Sequence, residues 1–260
     1  FAYVFYLNID FSLKNIDAKK VLVNVDINLT KEEALENLKS YDNNWIIGQL
    51  NLLSSFSTIL ANRTENTDAY FIAKTINNNL HYRMNREDDV ISRNIIDNLT
   101  VYVNHQMANH FYLNKIPFVF RNNEFKNNEE LFSKLKTENI EELKIILQKL
   151  KVDSYFSSKN IGHSGLNKNA YSQISTPCRN YASFECQKLI EKFLINKEKL
   201  DECERTKLKR KIENICKHLN ERYKINESYL HEKKYIRKGD GSGSRCGGGR
   251  RRPALKAPGD

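Results

Sequence analysis

The 260-residue chain carries 42 Lys and Arg against 32 Asp and Glu, a formal charge of +10. That length suffices for one large domain, or a domain and a half, with a real core, no run of about 18 apolar residues is present to cross a membrane, and the positive excess suits a polyanion through non-specific attraction. Five cysteines (Cys178, Cys186, Cys203, Cys216 and Cys246) form no CxxC pair, which fits neither a zinc site nor a disulfide framework and points to a reducing compartment, cytoplasmic or organellar.

In chain order, Phe1-Ala2-Tyr3-Val4-Phe5-Tyr6-Leu7 reads as a strand rather than a secretory leader, and the chain is expected to begin in mid-domain. Val21, Val23, Val25 and Ile27 alternate with Leu22, Asn24, Asp26 and Asn28, the pattern of a half-buried strand. Thr30 with Glu33 is a capping-box signature that predicts a helix start. Helical spacing continues through Trp45, Leu52, Leu53, Phe56, Ile59 and Leu60. Residues 69–73 and 80–84 read as paired strands. Asp88 or Asp89 can cap a long helix with Ile91, Ile95, Leu99, Val103 and Met107 on one face. A strand at 116–121 and helical segments at 128–135 and 138–150 follow. From Ser183 to about Glu232 the pattern is helical, with Leu208, Ile212, Ile215, Leu219 and Tyr223 on one face. Beyond Gly239 the composition turns to Gly, Ser and Arg, which cannot bury a core and predicts a disordered tail. This tail reads as vector-derived or out-of-frame sequence, with an Arg-Gly RNA-binding tail as the alternative.

Glycine and proline are scarce before that tail, yet Gly162, Gly165 and Pro177 share one 20-residue window. Glycine serves positive φ or close backbone approach, and proline a rigid turn. A structural turn before a helix and a ligand-holding loop both suit these residue types. The window reads Gly162-His163-Ser164-Gly165-Leu166, then Tyr171, then Ser175-Thr176-Pro177-Cys178-Arg179-Asn180-Tyr181. Upstream stand Ile95-Ile96-Asp97-Asn98-Leu99 with Asn104 and Ala108, Ile116-Pro117-Phe118-Val119-Phe120-Arg121-Asn122-Asn123-Glu124, and Leu29-Thr30-Lys31-Glu32-Glu33-Ala34.

In this order the landmarks resemble the ribonuclease II/R (RNB) family of exoribonucleases over most of residues 1–232. The resemblance implies an α+β fold, a mixed sheet surrounded by helices and ending in long helices. It also implies a division into residues 1–236, a partial catalytic domain, and 237–260, the tail. The implied activity of the parent is Mg²⁺-dependent 3′-to-5′ degradation of single-stranded RNA to nucleoside 5′-monophosphates.

Arg179 matches the family's first motif arginine, which implies a phosphate clamp. Its planar, permanently charged fork suits two phosphate oxygens, while pairing with a helix carboxylate is the structural alternative. Asp97 falls where the family has the first of two glutamates facing the substrate, or is an ordinary solvated aspartate. His163 reads as a packed, hydrogen-bonded histidine shaping its loop, with RNA contact the alternative, since no base or nucleophile partner stands beside it in sequence. Ser175 and Thr176 suit either phosphate donation or capping of the next helix. Tyr181 and Tyr171 suit base stacking or packing, and Arg121 completes the candidate RNA contacts.

Several positions depart from the family pattern. Asn180 replaces the second arginine, Ser183 an aspartate, Asn98 the second glutamate, Asn123 a histidine and Lys31 a tyrosine. The family's metal-binding aspartates lie upstream of everything matched, so no metal ligand is expected here. Asp88 and Asp89 diverge by about 100° on a helix and cannot converge on one ion. A non-catalytic RNA-binding or protein-interaction relative of the same fold is the alternative function.

Overall fold

The computed structural model describes residues 1–40, 44–64, 87–124, 142, 145 and 154–239. The expected strands at 69–73 and 80–84, all but two residues of the helical segments at 128–150, and the tail after residue 239 lie outside the described residues. Glu142 and Ile145 are helical. The chain divides into two compact units, Phe1–Asn220 and Glu221–Asp260. Described residues of the second unit are the last part of the C-terminal helix.

The fold is α+β. Strand β1 (Ala2–Leu7) pairs antiparallel with β2 (Leu13–Lys19), in register from Ala2 opposite Lys19 to Tyr6 opposite Asn15. The turn between them puts Phe11 at φ 58°, a left-handed conformation that side-chain-bearing residues seldom take. Helix α1 (Lys31–Lys39) begins where the capping box predicts. Glu33 N–H donates to Thr30 Oγ1 (3.2 Å) and Thr30 N–H to Glu33 Oε2 (2.7 Å). Thr30 N–H and the Thr30 hydroxyl, which also donates to Glu33 Oε2 (2.9 Å), hold the Glu33 carboxyl below its ordinary pKa.

The alternating segment 21–27 is not a strand. Val21, Val23, Val25 and Ile27 are all exposed, and no ladder forms there among the described residues. Alternation gives a segment two faces, but a strand also needs a neighbour for its amides. Here β1 takes β2 as partner instead.

Helix α2 (Trp45–Thr64) and helix α3 (Glu87–Leu113) follow. They are tied by Asn98 Nδ2, which donates to Ser57 Oγ (3.0 Å), and by Ser57 Oγ, which donates to Asn94 O (3.3 Å). On the predicted face of α3, Ile95 and Met107 are buried and Leu99 and Val103 half-buried, whereas Trp45, Leu52 and Leu53 of α2 are exposed. Strand β3 (Phe120–Asn122) is shorter than the expected 116–121 and pairs antiparallel with β4 (Tyr155–Ser157). Phe118 and Val119 just before it are fully buried without strand pairing.

Helix α4 (Tyr181–Ile190) widens into a π-helical turn, Glu191–Ile195, and the chain breaks before helix α5 (Glu202–Gly239). The expected single helical run is therefore interrupted. Asn196 N–H reaches back to Glu191 O (2.9 Å) and Lys197 takes φ 54°, so the break needs neither glycine nor proline. On α5, Ile212 is buried and Leu208, Ile215 and Leu219 pack on the core, whereas Tyr223 is exposed. The core of the first unit gathers Met107, Ala108 and Phe111 of α3 with Phe118 to Phe120, Ile174 and the inner face of α4. Phe111 stacks on Phe118 at 4.1 Å between centroids. No described helix is long and apolar enough to cross a membrane.

Candidate nucleic-acid interface

The glycine-histidine segment docks on the end of β3 through Asn123. Asn123 N–H donates to Gly162 O (3.1 Å), Ser164 N–H to Asn123 O (2.8 Å), and Gly165 N–H to Asn123 Oδ1 (2.9 Å). His163 and Lys168 close the loop by exchanging backbone bonds of 2.7 and 3.2 Å. Both glycines are required by this geometry. Gly162 has φ 88°, and a Cβ there would meet Lys168 O at 3.0 Å. A Cβ on Gly165 would lie 3.0 Å from Asn123 Oδ1. The neutral residue at 123 is thus the clasp of the loop.

His163 points inward. Its ring meets Tyr171 edge-on, with centroids 5.1 Å apart, and its Nε2 lies 3.4 Å from Ser154 Oγ. Burial, reinforced by the positive Arg121, pushes its pKa down to about 4, so the ring is neutral at pH 7. Behind it lies a buried polar network. Asn104 Nδ2 on α3 donates to Tyr171 Oη (3.1 Å), and Asn104 Oδ1 accepts from Ile174 N–H (3.0 Å). Burial raises the Tyr171 pKa. Arg121 N–H donates to Tyr171 O (2.9 Å), its guanidinium donates to Gln173 Oε1 (3.1 Å), and it lies over the Phe156 ring. Arg121, His163 and Tyr171 are therefore brought together inside the fold.

The second half of the window turns outward. Arg179 and Asn180 N–H both donate to Thr176 O, at 3.3 and 3.0 Å. Pro177, Cys178 and Arg179 thus form a closed turn with the Arg179 side chain exposed. Neither Ser175 nor Thr176 caps α4. The turn places the helix start at Tyr181, and Asn180 is the cap, its Oδ1 accepting from Ser183 N–H at 3.1 Å. Ser175 and Pro177 instead line an open cleft with Leu99, Thr100 and Val103 of α3 and with Tyr3. Tyr181 is half exposed, stacks loosely on Phe184 at 6.5 Å, and meets His218 of α5 edge-on at 6.1 Å. Lys211 and Asn214 share that surface cleft. Asp97 is exposed on α3, and among the described residues no hydrogen bond or ion pair joins it to Arg179.

The departures from the family pattern acquire structural roles. Asn98 ties α3 to α2, Asn123 clasps the loop and Asn180 caps α4. Ser183 is fully buried, where a lone carboxylate would be costly. The roles of Asn104 and Asn123 escaped sequence reasoning because an asparagine's function lies in the backbone it meets. Lys168 escaped as well, though it is the one lysine between Gly162 and Arg179. Mg²⁺ takes oxygen ligands, chiefly carboxylates, and the described residues do not fit it: no three His, Cys, Asp or Glu side chains among them converge.

No curated relative matches the chain. Among solved structures it is similar to yeast Ssd1, a pseudonuclease, with 12% identity and a TM-score of 0.58 over 84% of this chain and 31% of that one. It is also similar to an active-site mutant of the Dss1 exoribonuclease from Candida glabrata, with 16% identity and a TM-score of 0.55 over 82% of this chain and 30% of that one. A third is Mycoplasma genitalium RNase R in complex with ribose-methylated single-stranded RNA, with 19% identity and a TM-score of 0.47 over 56% of this chain and 28% of that one. The chain thus spans about three-tenths of the length of these proteins. The RNB domain matches residues 1–196, a stretch that takes in β1, the α3 helix, the clasped glycine-histidine loop and the Arg179 turn, and by that match the chain belongs to the RNB-domain family.

Proposed function

We propose that the chain holds single-stranded RNA at the Arg179 turn, as part of a larger Mg²⁺-dependent 3′-to-5′ exoribonuclease that releases nucleoside 5′-monophosphates. The carrying observation is the turn itself. Two backbone bonds to Thr176 O fix Arg179 while leaving its guanidinium in solvent, and the exposed Tyr181 follows two residues later. A fork of donors held in this way matches phosphate, and an exposed ring offers a base a stacking face. Ser175 and Thr176 flank the turn as hydroxyl donors. Arg121 and His163 act from behind it, supporting the wall of the RNA path, and Asp97 faces the path from α3. Mg²⁺, held by carboxylates elsewhere in the parent, would activate water and neutralise the leaving oxygen. The compartment proposed is cytoplasmic or organellar.

A second reading is favoured by one observation. Asn98, Asn123 and Asn180 are each engaged in a structural hydrogen bond where the family pattern has an ionisable group. A non-catalytic RNA-binding relative would look like this, and fold alone does not decide between the two. Binding is tested by fluorescence anisotropy of a labelled single-stranded oligoribonucleotide with wild type, Arg179→Lys and Arg179→Ala at physiological salt. Equal affinities for all three would withdraw the clamp. Activity is tested in a chain extended upstream until it contains an aspartate cluster. Release of mononucleotides with Mg²⁺ supports the nuclease, whereas inert protein with intact RNA binding leaves the second reading.

A further inference from the structure

A separate cavity of about 180 Å³ opens between the β1–β2 turn, α2, α3 and the end of the glycine-histidine loop, half apolar in lining, with Ser12, Asn98, His105, Gln106 and Lys168 as its polar residues. It holds far more than one water, which needs about 10–15 Å³ on the same measure. Phe11, in its left-handed conformation, forms part of the rim and packs its ring on Phe56 at 5.9 Å. Strained backbone of this kind persists where the surroundings over-determine it.

The polar groups lining this cavity are unequally occupied. Ser12 Oγ donates to Asp10 (2.6 Å) and accepts from Asn8 (2.8 Å), and the Asn98 amide donates to Ser57. His105 Nδ1 lies 2.7 Å from Ala170 O. A carbonyl can only accept, so the ring proton sits on Nδ1 and Nε2 is left as an acceptor. Burial holds His105 neutral at pH 7, and burial also lowers the Lys168 pKa. The Lys168 ammonium makes no ion pair among the described residues, although its backbone is fixed by the exchange with His163. A half-buried ammonium with no counter-charge on the wall of a cavity is a ready contact for an anion. The amide of Gln106 adds a second donor, and the His105 acceptor suits a hydroxyl.

We propose that this cavity binds a ribonucleotide phosphate, with Lys168 and Gln106 on the phosphate and His105 Nε2 accepting from a sugar hydroxyl. The site is distinct from the Arg179 turn and stands whether or not that turn binds RNA. The phosphate could come from an RNA strand or from a free mononucleotide, and the probes separate the two. The full chain is titrated calorimetrically with inorganic phosphate, adenosine 5′-monophosphate and a single-stranded oligoribonucleotide. Adenosine monophosphate should bind more tightly than phosphate, Lys168→Gln should weaken it by about tenfold or more, and Lys168→Arg should retain most of the affinity. Lys207→Gln, on the exposed face of α5 and outside both sites, should leave mononucleotide binding unchanged. Loss confined to the oligoribonucleotide in Lys168→Gln assigns the site to the strand. Lys168→Met, which keeps the apolar stem, should melt at or above the wild-type temperature, separating a binding role from a packing one. Unchanged affinity of Lys168→Gln for all three probes overturns the proposal.

Discussion

The two halves of the 162–181 window make opposite use of similar residue types. In the first half, Gly162, His163 and Gly165 face inward and are locked by neutral hydrogen bonds to Asn123 and Lys168. In the second half, Pro177 and Arg179 form a turn whose backbone is fixed and whose charge faces solvent. The contrast teaches that a motif read as one functional unit is a joint between a structural clasp and a contact surface. Changes in the first half should therefore read out as stability, and changes in the second as affinity.

The sharpest break in that comparison is Gly162→Ala. The substitution forces a side chain into φ 88° and brings its Cβ to 3.0 Å from a backbone oxygen that cannot swing away. We expect a loss of about 3 kcal/mol in urea unfolding. The folded fraction should keep its RNA affinity. A well-folded Gly162→Ala with impaired RNA binding would move the loop to the contact side.

Acid offers the next largest effect. His163 has a folded pKa of about 4 against 6.5 in the unfolded chain. Between those values the unfolded state binds the proton and the folded state does not, so stability is full above pH 6.5 and falls as the pH drops toward 4. The whole shift amounts to on the order of 3 kcal/mol. His105 and His110, also depressed by burial, push in the same direction. Replacing His163 by Gln should flatten only part of the slope in melts between pH 7 and 4. An unchanged slope would put the ring in solvent.

Part of this division was legible in the sequence, and the reasons differ element by element. Thr30 and Glu33 predicted the start of α1 because a capping box is local: both partners lie within one helical turn. The two glycines marked a backbone constraint correctly, since only glycine relieves a Cβ clash. Alternation at 21–27 misled because a strand depends on a distant partner, which β1 finds in β2. In β2 only Ile16 and Ala18 are buried, too weak an alternation to compete with four β-branched residues. The break between α4 and α5 was silent because Lys197 takes the left-handed turn that glycine usually announces. At the site, Asn98, Asn123 and Asn180 read as losses of family charges, and their gains appear only with the backbone groups they meet.

Arg179→Ala probes the other side of the comparison. Truncating an exposed guanidinium should leave the melting temperature within error and weaken single-stranded RNA by about 2 kcal/mol, as for a hydrogen bond to a charged group. Arg179→Lys should recover part of that, because the charge remains and the fork does not. A stability loss in Arg179→Ala, without an affinity change, would reassign the arginine to the clasp.

The smallest expected effect lies on the boundary between the halves. Asn180 ends the exposed turn and also caps α4, accepting from Ser183 N–H at 3.1 Å. Asn180→Ala leaves that amide of a buried residue unpaired, so it should cost about 1 kcal/mol in thermal unfolding. The fraying would matter because α4 carries Cys186, Leu189 and Ile190 into the core. Asn180→Asp should hold stability, since a carboxylate caps as well and favours the helix N-terminus. Asn180→Arg restores the family pattern at the price of the cap, and it adds a cation beside Arg179. It should lower the melting temperature while strengthening RNA binding, most visibly at low salt where exposed charges are least screened. Opposite signs in one variant would fix position 180 as the joint. Equal stability of Asn180→Ala and wild type would show instead that the cap contributes nothing and that this residue belongs wholly to the contact surface.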